Sequence, residues 1–396
     1  MKICVITPGV AHAVPRTLSF ARYFSEIHYV DMKGADDREL LSRHGVIYHA
    51  ACSTEQMQFG RRELRRLLRS INPDGIVCHF ASGSHFFHSI LYNRCPVAVI
   101  AMGQDVFYDG GDAVVSPLQR LLIRMALRRC DYVSAKSVAL AERVRSYGCQ
   151  SPIEVNYWGA SLRDFSPGDR RENRAKLGLP LNAPVILSPR AVEPRLNIHL
   201  IVEAFAAIRR DHPDALLVVL GRTNAGYRNI VESAIVERGL SENVRLAYEV
   251  NQDRLVEYYR ASDIVVSMAR SEGFPNSVLE VMACERPVLV GLIPQVKELL
   301  VDGVNASLCP IEPEAIASAL KDMLDRPDYC QQLVREARKT VEQFADIEAN
   351  GARFAKAFRA IVEQHRNSSG RSLASVLPMF LTLFAHAAQS RLSRVR

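Results

Sequence analysis

Short runs of apolar, largely β-branched residues alternate with helix-period segments from one end of the chain to the other. A run of four to six such residues bounded by turn signals fits a strand buried on both faces, and strands separated by helical patterns indicate βαβ units around a parallel sheet. In the first half this spacing predicts strands at Lys2–Thr7, Ile27–Asp31, Gly75–His79, Val97–Ala101 and Tyr132–Ala135. In the second half it predicts Val185–Ser188, Leu216–Leu220, Val244–Ala247, Ile264–Met268 and Val288–Gly291, with helices such as Leu200–Arg210 and Pro313–Leu324 between them. The two series are separated by WGASLRDFSPGDRRENRAKLGLPLNAP, which is polar and rich in Pro and Gly, the composition of a stretch that few contacts cross. The expected class is α/β, with two Rossmann-like doubly wound domains facing a central cleft, because ligands of open parallel sheets bind outside the carboxyl ends of the strands.

Composition narrows the class further. At 396 residues, 48% hydrophobic and 23% charged, the chain has material for two full cores and is not a disordered segment. The opening MKICVITPGV reads as a first strand and not as a signal peptide, and the nine scattered cysteines form no CxxC pair. A reduced, cytoplasmic setting is the expectation. The net charge of +7 is concentrated in stripes: Arg61, Arg65 and Arg69 recur every four residues with Arg62 and Arg66 beside them, and Arg120, Arg124 and Arg128 repeat the spacing. Two readings stand, a solvated helix face and a surface for an anionic membrane. Nucleic acid is disfavoured because no aromatic platform or known module accompanies the arginines. Near the C-terminus LASVLPMFLTLFAHAA lacks charge for 16 residues, short of the roughly 20 that a span needs. An interfacial helix and a helix packed on the protein both fit it.

The candidate chemistry lies at strand ends. SEGFPNSVLE follows the strand that starts at Ile264 and runs into a helical pattern, so Glu272 closes the strand and Glu280 falls in the first helical turn. Free N–H groups at such a helix start favour an anion, whereas two carboxylates accept hydrogen bonds from hydroxyls. A ligand with both phosphate and polyol, a nucleotide sugar, satisfies both. Ser277 and Glu280 also fit a capping box, in which Glu280 only starts the helix. Arg190 and Arg195 follow the Val185–Ser188 strand and are placed to grip a diphosphate. His79 closes its strand and is either a satisfied core histidine or a hydrogen-bond partner for a sugar hydroxyl. A zinc reading of His79, His85 and His88 lacks any supporting carboxylate or thiol spacing, and the chain has no Asp-x-Asp, no GxGxxG after a strand and no P-loop.

SEGFPNSVLEVMACERPVLV followed by QVKELLVDGVNASLCPIEPEAIASAL resembles the donor-binding half of family 4 glycosyltransferases, retaining enzymes of the GT-B fold. The resemblance extends upstream through ILSPRAVEPRLNIHLIVEAFAAI, LLVVLG and ASDIVVS, and more thinly into GIVCHFASG, VAVIAMGQDVF and VNYWGASLRDFSP. It implies that Glu280 holds the ribose hydroxyls, that Glu272 lies against the transferred sugar, and that the backbone of Gly273, Phe274, Pro275 and Asn276 meets sugar and phosphate. It further implies that Arg190 and Arg195 bind the diphosphate, that His79 sits near sugar and acceptor, that Gly9 lets the first loop approach the phosphates, and that Gly103 and Asp105 lie on the acceptor side. The family usually has Lys and Gly where Arg195 and Leu196 stand here, and often an aromatic residue or His where Met102 stands.

Residues 1–165 are thus expected to form an acceptor-binding domain and 166–345 a donor-binding domain, with 346–366 a helix returning to the first and 367–396 a basic and apolar tail. The expected activity is transfer of a sugar, with retention, from a nucleotide-diphosphate sugar to a glycan or lipid-linked acceptor in bacterial cell-surface polysaccharide or lipopolysaccharide synthesis. It needs no metal or resident cofactor and takes place in the cytoplasm or on the inner face of the membrane. A nucleotide-sugar epimerase or hydrolase of the same fold, and a non-catalytic nucleotide-sugar-binding protein, are the alternatives.

Overall fold

The computed structural model describes residues 1–10, 12–34, 37–50, 61–107, 116–221, 225–248, 250, 252–367, 379 and 382. Two compact units result, changing over at Trp158/Gly159 and again at Asp346/Ile347, the first change falling a few residues before the expected 165/166.

The first unit is built on a seven-stranded parallel sheet: β1 (Lys2–Thr7), β2 (Glu26–Asp31), β3 (Ile47–Ala50), β4 (Gly75–His79), β5 (Val97–Ala101), β6 (Tyr132–Ala135) and β7 (Ile153–Val155). Its order, β3-β2-β1-β4-β5-β6-β7, reverses between β1 and β4, where Ile3 pairs with Ile27 on one side and Gly75 on the other. Every residue of β4 and β5 is buried, as their unbroken apolar runs require. On one face Leu64, Leu68, Phe86, Ile90, Leu122 and Ala126 close the core from the helices Arg61–Ile71, Ser84–Tyr92 and Pro117–Leu127. On the other, the helix Ile347–Arg366 packs Phe354 and Phe358 against Phe20 and Trp158. Asn350 of that helix ties the changeover together, donating from Nδ2 to the Trp158 carbonyl and accepting at its own carbonyl from Asn156 Nδ2.

The second unit carries a six-stranded parallel sheet of β8 (Val185–Ser188), β9 (Leu216–Leu220), β10 (Val244–Ala247), β11 (Ile264–Ser267), β12 (Val288–Gly291) and β13 (Ser307–Cys309). The order β10-β9-β8-β11-β12-β13 again reverses, here between β8 and β11. Both sheets are therefore doubly wound, each with one topological switch point.

All ten expected strands are present, and β3, β7 and β13 are additional. The added strands are short and lie at sheet edges, where pairing to a single neighbour defines a strand that no apolar run announces. Arg66, Arg69, Arg120, Arg124 and Arg128 of the two arginine stripes are exposed, whereas the side chains of Arg61 and Arg62 lie outside the described residues. Most of the 367–396 tail also lies outside them, but Met379 is fully buried in the first unit's core. No helix among the described residues is long and apolar enough to cross a membrane.

Candidate functional site

In the second unit the switch point between β8 and β11 gathers the expected donor residues. Arg190 follows β8 and Glu272 follows β11, so adjacent strands deliver a cation and an anion to one crevice. Two bonds hold the loops in place: the Asn197 amide donates to the Met268 carbonyl at 2.8 Å, and the Arg270 N–H to the Arg195 carbonyl at 3.0 Å. Gly221, at the end of β9, completes the support. Its φ is +102° and an added Cβ would lie 2.9 Å from the backbone of Arg190 and Ala191, so no side chain fits beneath that loop.

Glu272 is clasped by both arginines. Arg190 Nη2 forms a short ion pair with Glu272 Oε1, and Arg195 Nη1 lies 3.7 Å from the same oxygen. Arg190 Nη1 also donates to the Ser277 hydroxyl at 2.8 Å, and Arg195 pairs with Glu193 at 3.0 Å. The Glu272 and Arg190 side chains are 13% and 11% exposed, yet Glu272 Oε2 and Arg190 Nε have no hydrogen-bond partner among the described residues. Buried polar atoms are normally paired, so these two mark capacity for a ligand.

Glu280 departs from the expected placement. The helix runs Asn276–Ala283 with Pro275 as its N-cap, so Glu280 lies in the second turn and not the first. Ser277 lies inside the helix, its hydroxyl taken by Arg190, and the capping-box reading fails. Instead Glu280 Oε2 accepts a 2.8 Å hydrogen bond from the hydroxyl of Tyr259, a fully buried residue of the helix Gln252–Ala261. Burial first, and the Glu280 carboxylate second, push the Tyr259 phenol well above its ordinary pKa, which keeps it a donor. Tyr259 was missed in the sequence because its partner lies in a separate helix and no local spacing links them. Gly273, Phe274 and Pro275 are buried and Asn276 half-buried, with the helix opening at Asn276.

The first unit places its expected residues around its own switch point. Gly9 follows β1 at φ +74°, and a Cβ there would meet Lys33 and the Asp31 carboxylate at 2.8 and 2.9 Å. His79 closes β4 with its ring buried and neither nitrogen hydrogen-bonded among the described residues. Burial, aided by the positive charge of Arg16, holds it well below the usual histidine range, so it is neutral at pH 7. His85 Nε2 donates to the His79 carbonyl at 2.6 Å, which removes that nitrogen from any metal set. Met102 lies against the buried Arg16, whose Nη1 is 3.0 Å from the sulfur.

Asp105, expected on the acceptor side, is turned inward. It is 2% exposed, and its carboxylate accepts the N–H groups of Ala81, Met102 and Gly103 at 2.6, 2.9 and 2.8 Å. Burial pushes its pKa up against the pull of those bonds. The carboxylate organises the loop that presents Gly103.

Residues 169–340 match the family model described as "Glycosyl transferases group 1". Among curated relatives, D-inositol 3-phosphate glycosyltransferase 2 of Catenulispora acidiphila is 27% identical over 272 residues, 64% of this chain and 61% of the relative. D-inositol 3-phosphate glycosyltransferase of Rhodococcus jostii is 32% identical over 218 residues, 51% and 46%. The chain thus spans about half the length of the curated relatives it matches. Among solved structures, that of Anabaena Alr3699/HepE in complex with UDP and glucose superposes with a TM-score of 0.79 at 18% identity, over 91% of this chain and all of that one. WaaG, a glycosyltransferase involved in lipopolysaccharide biosynthesis, superposes at 0.70 and 14% identity, over 90% and 98%. Residues 169–340 thus resemble the group 1 glycosyl transferases, and the chain shares the GT-B fold of these glycosyltransferase structures.

Proposed function

We propose that the protein transfers a sugar from a nucleotide-diphosphate sugar to a hydroxyl acceptor with retention of configuration. The observation that carries this reading is the β8/β11 switch point, where two arginines converge on Glu272 while Tyr259 holds Glu280 one helical turn beyond. The donor diphosphate replaces Glu272 as the partner of Arg190 and Arg195, whose charges stabilise the departing phosphate without a metal or resident cofactor. Glu272, released from the arginines, accepts hydrogen bonds from the hydroxyls of the sugar, and Glu280 accepts those of the ribose. The bond from the anomeric carbon to the diphosphate oxygen breaks and the bond to the acceptor oxygen forms on the same face. The leaving phosphate oxygen takes the acceptor proton, so no side chain serves as base. His79, neutral and with neither ring nitrogen hydrogen-bonded among the described residues, donates or accepts one hydrogen bond on the acceptor side of the first unit. Complexes of HepE with UDP and UDP-glucose support a nucleotide-sugar donor here.

The acceptor in this reading is a glycan or lipid-linked hydroxyl of bacterial surface polysaccharide synthesis, handled by the first unit on the inner face of the cytoplasmic membrane. The exposed Arg66, Arg69, Arg120 and Arg124 lie on two helices that both flank Ser84–Tyr92, and Arg128 caps the second, a basic layer suited to anionic headgroups. Changing these five to Gln is expected to abolish cosedimentation with phosphatidylglycerol vesicles; unchanged binding would refute the membrane role. Nucleic acid is not a partner, and a filter-binding assay at physiological salt is expected to show none retained.

A thermal-shift panel of UDP, GDP, ADP and their sugars tests the donor site. One nucleotide series is expected to raise the melting temperature of wild type and not of Glu280→Gln, and a ligand at a hundred times its Kd adds about 2.7 kcal/mol of apparent stability. No shift with any series would refute the reading. Donor consumption that releases a free or altered sugar without an acceptor would mark a hydrolase or epimerase instead.

A further inference from the structure

The second unit holds a cavity of about 610 Å³ at the end of its sheet opposite to Arg190 and Glu272. Pro184, Asp263 and Pro287 line it and immediately precede β8, β11 and β12, so it opens at the amino ends of three adjacent strands. Four strand residues at about 3.3 Å each put about 13 Å of sheet between the two places. The volume lies within the range of small-molecule sites.

Its lining is two-sided. Met323, Leu324 and Ile264 give an apolar wall, whereas Arg170, Arg174, Arg286 and Arg335 outnumber the carboxylates of Asp263 and Glu285. Arg174 is fully committed to the fold: Nε donates to the Ala261 carbonyl, Nη1 to the carbonyls of Pro180, Leu181 and Ala183, and Nη2 pairs with Asp263. Asp263 also takes Arg170 and the Val185 N–H, so its capacity to neutralise further charge is filled. Arg286 donates one bond to the Gly168 carbonyl at 2.9 Å, while its buried Nε has no partner among the described residues. Burial first, and then the neighbouring Arg170, push its pKa down against the pull of Asp263. Arg335 stands exposed at the rim with no ion pair or hydrogen bond among the described residues.

We propose that this cavity is a second ligand site, separate from the donor crevice, for an organic phosphate whose anion meets Arg286 and Arg335 and whose apolar body lies on Met323 and Leu324. Two guanidinium groups beside an apolar wall recognise that combination and not inorganic phosphate alone, which has nothing to bury. The ligand is a free phosphate ester or the headgroup of a phospholipid; both present the same chemistry.

Phenyl phosphate titrated calorimetrically into the full chain tests the site, with inorganic phosphate as the control lacking the apolar part. Saturable binding at one site, at least about tenfold weaker in Arg335→Glu and retained in Arg190→Ala, is expected, since one charged hydrogen bond carries about that factor. Arg335 is exposed, so its substitution leaves the fold intact; Arg286→Gln, which gives up the bond to Gly168, is the second variant. Binding to phosphatidic acid vesicles that Arg335→Glu removes would identify the lipid source, and binding of phenyl phosphate alone the free one. No saturable binding in either arm, or binding lost in Arg190→Ala and kept in Arg335→Glu, would overturn the proposal.

Discussion

Replacing Tyr259 by Phe removes one oxygen and one hydrogen bond, and nothing else of that size tests Glu280 so directly. The phenol is fully buried, Glu280 is 9% exposed, and the bond between them measures 2.8 Å. A hydrogen bond to a charged group is worth about 1.5–3 kcal/mol net, and the Phe ring fills the same space, so the loss enters without a cavity. For a unit of this size about 2 kcal/mol corresponds to roughly 4–8 °C in melting temperature. Glu280 keeps its charge in this variant but loses the bond that fixes its orientation. Re-ordering one such side chain on binding costs about 0.5–1.5 kcal/mol, so nucleotide affinity should fall between about twofold and tenfold. Calorimetric titration of the best nucleotide from the thermal-shift panel reads this, with Glu280→Gln beside it, which should weaken binding further. The double variant then gives the coupling between the two residues. If Tyr259→Phe melts lower while it and Glu280→Gln both bind nucleotide like wild type, the pair is structural and Glu280 is not a ligand residue.

Glu272→Gln removes the carboxylate that neutralises Arg190 and Arg195 in the free protein, so nucleoside diphosphate should bind as tightly as to wild type or more tightly. Transfer should fall by about a hundredfold, the scale of a group that acts on the reacting sugar; loss of nucleotide binding would show that Glu272 organises the arginines instead. Gly221→Ala forces a Cβ into the Arg190 loop at a positive φ and should cost about 1–3 kcal/mol while weakening donor binding; a variant that melts like wild type would show that the loop gives way. His85 is buried, and burial lowers its pKa to about 4 against the bond to the His79 carbonyl, which raises it. The unfolded chain therefore binds a proton first as pH drops below about 6.5, and stability that is complete above that value is lost toward pH 4, by about 3 kcal/mol. Urea midpoints measured from pH 7 to 4.5 should show this slope, and His85→Gln should flatten it; equal slopes would assign the effect to other groups.

The strand ends that carry Arg190, Glu272, His79 and Gly103 were legible because fully buried parallel strands are continuous apolar runs, and their ends are where polar residues resume. The edge strands β3, β7 and β13 were not, since a segment of three or four residues paired on one side leaves no periodicity to read. Ser277 and Glu280 form a local capping pattern that tertiary structure overrides: Arg190 arrives from another strand to take the serine and Tyr259 from another helix to take the glutamate. Asp105 sits beside Gly103 in sequence, but its inward turn depends on the Ala81 N–H at the end of β4. Each of these depends on contacts between segments far apart in the chain, which spacing alone does not encode.

Retention at the anomeric carbon is read by following the anomeric proton by NMR while the protein consumes the nucleotide sugar that it binds best, in the presence of a glycan acceptor. A glycoside with the donor's own anomeric configuration is expected at the earliest times, with nucleoside diphosphate released in equal amount and no dependence on added metal or on chelator. A first product of inverted configuration, or turnover that chelator abolishes, would contradict the same-face displacement carried by Arg190 and Arg195.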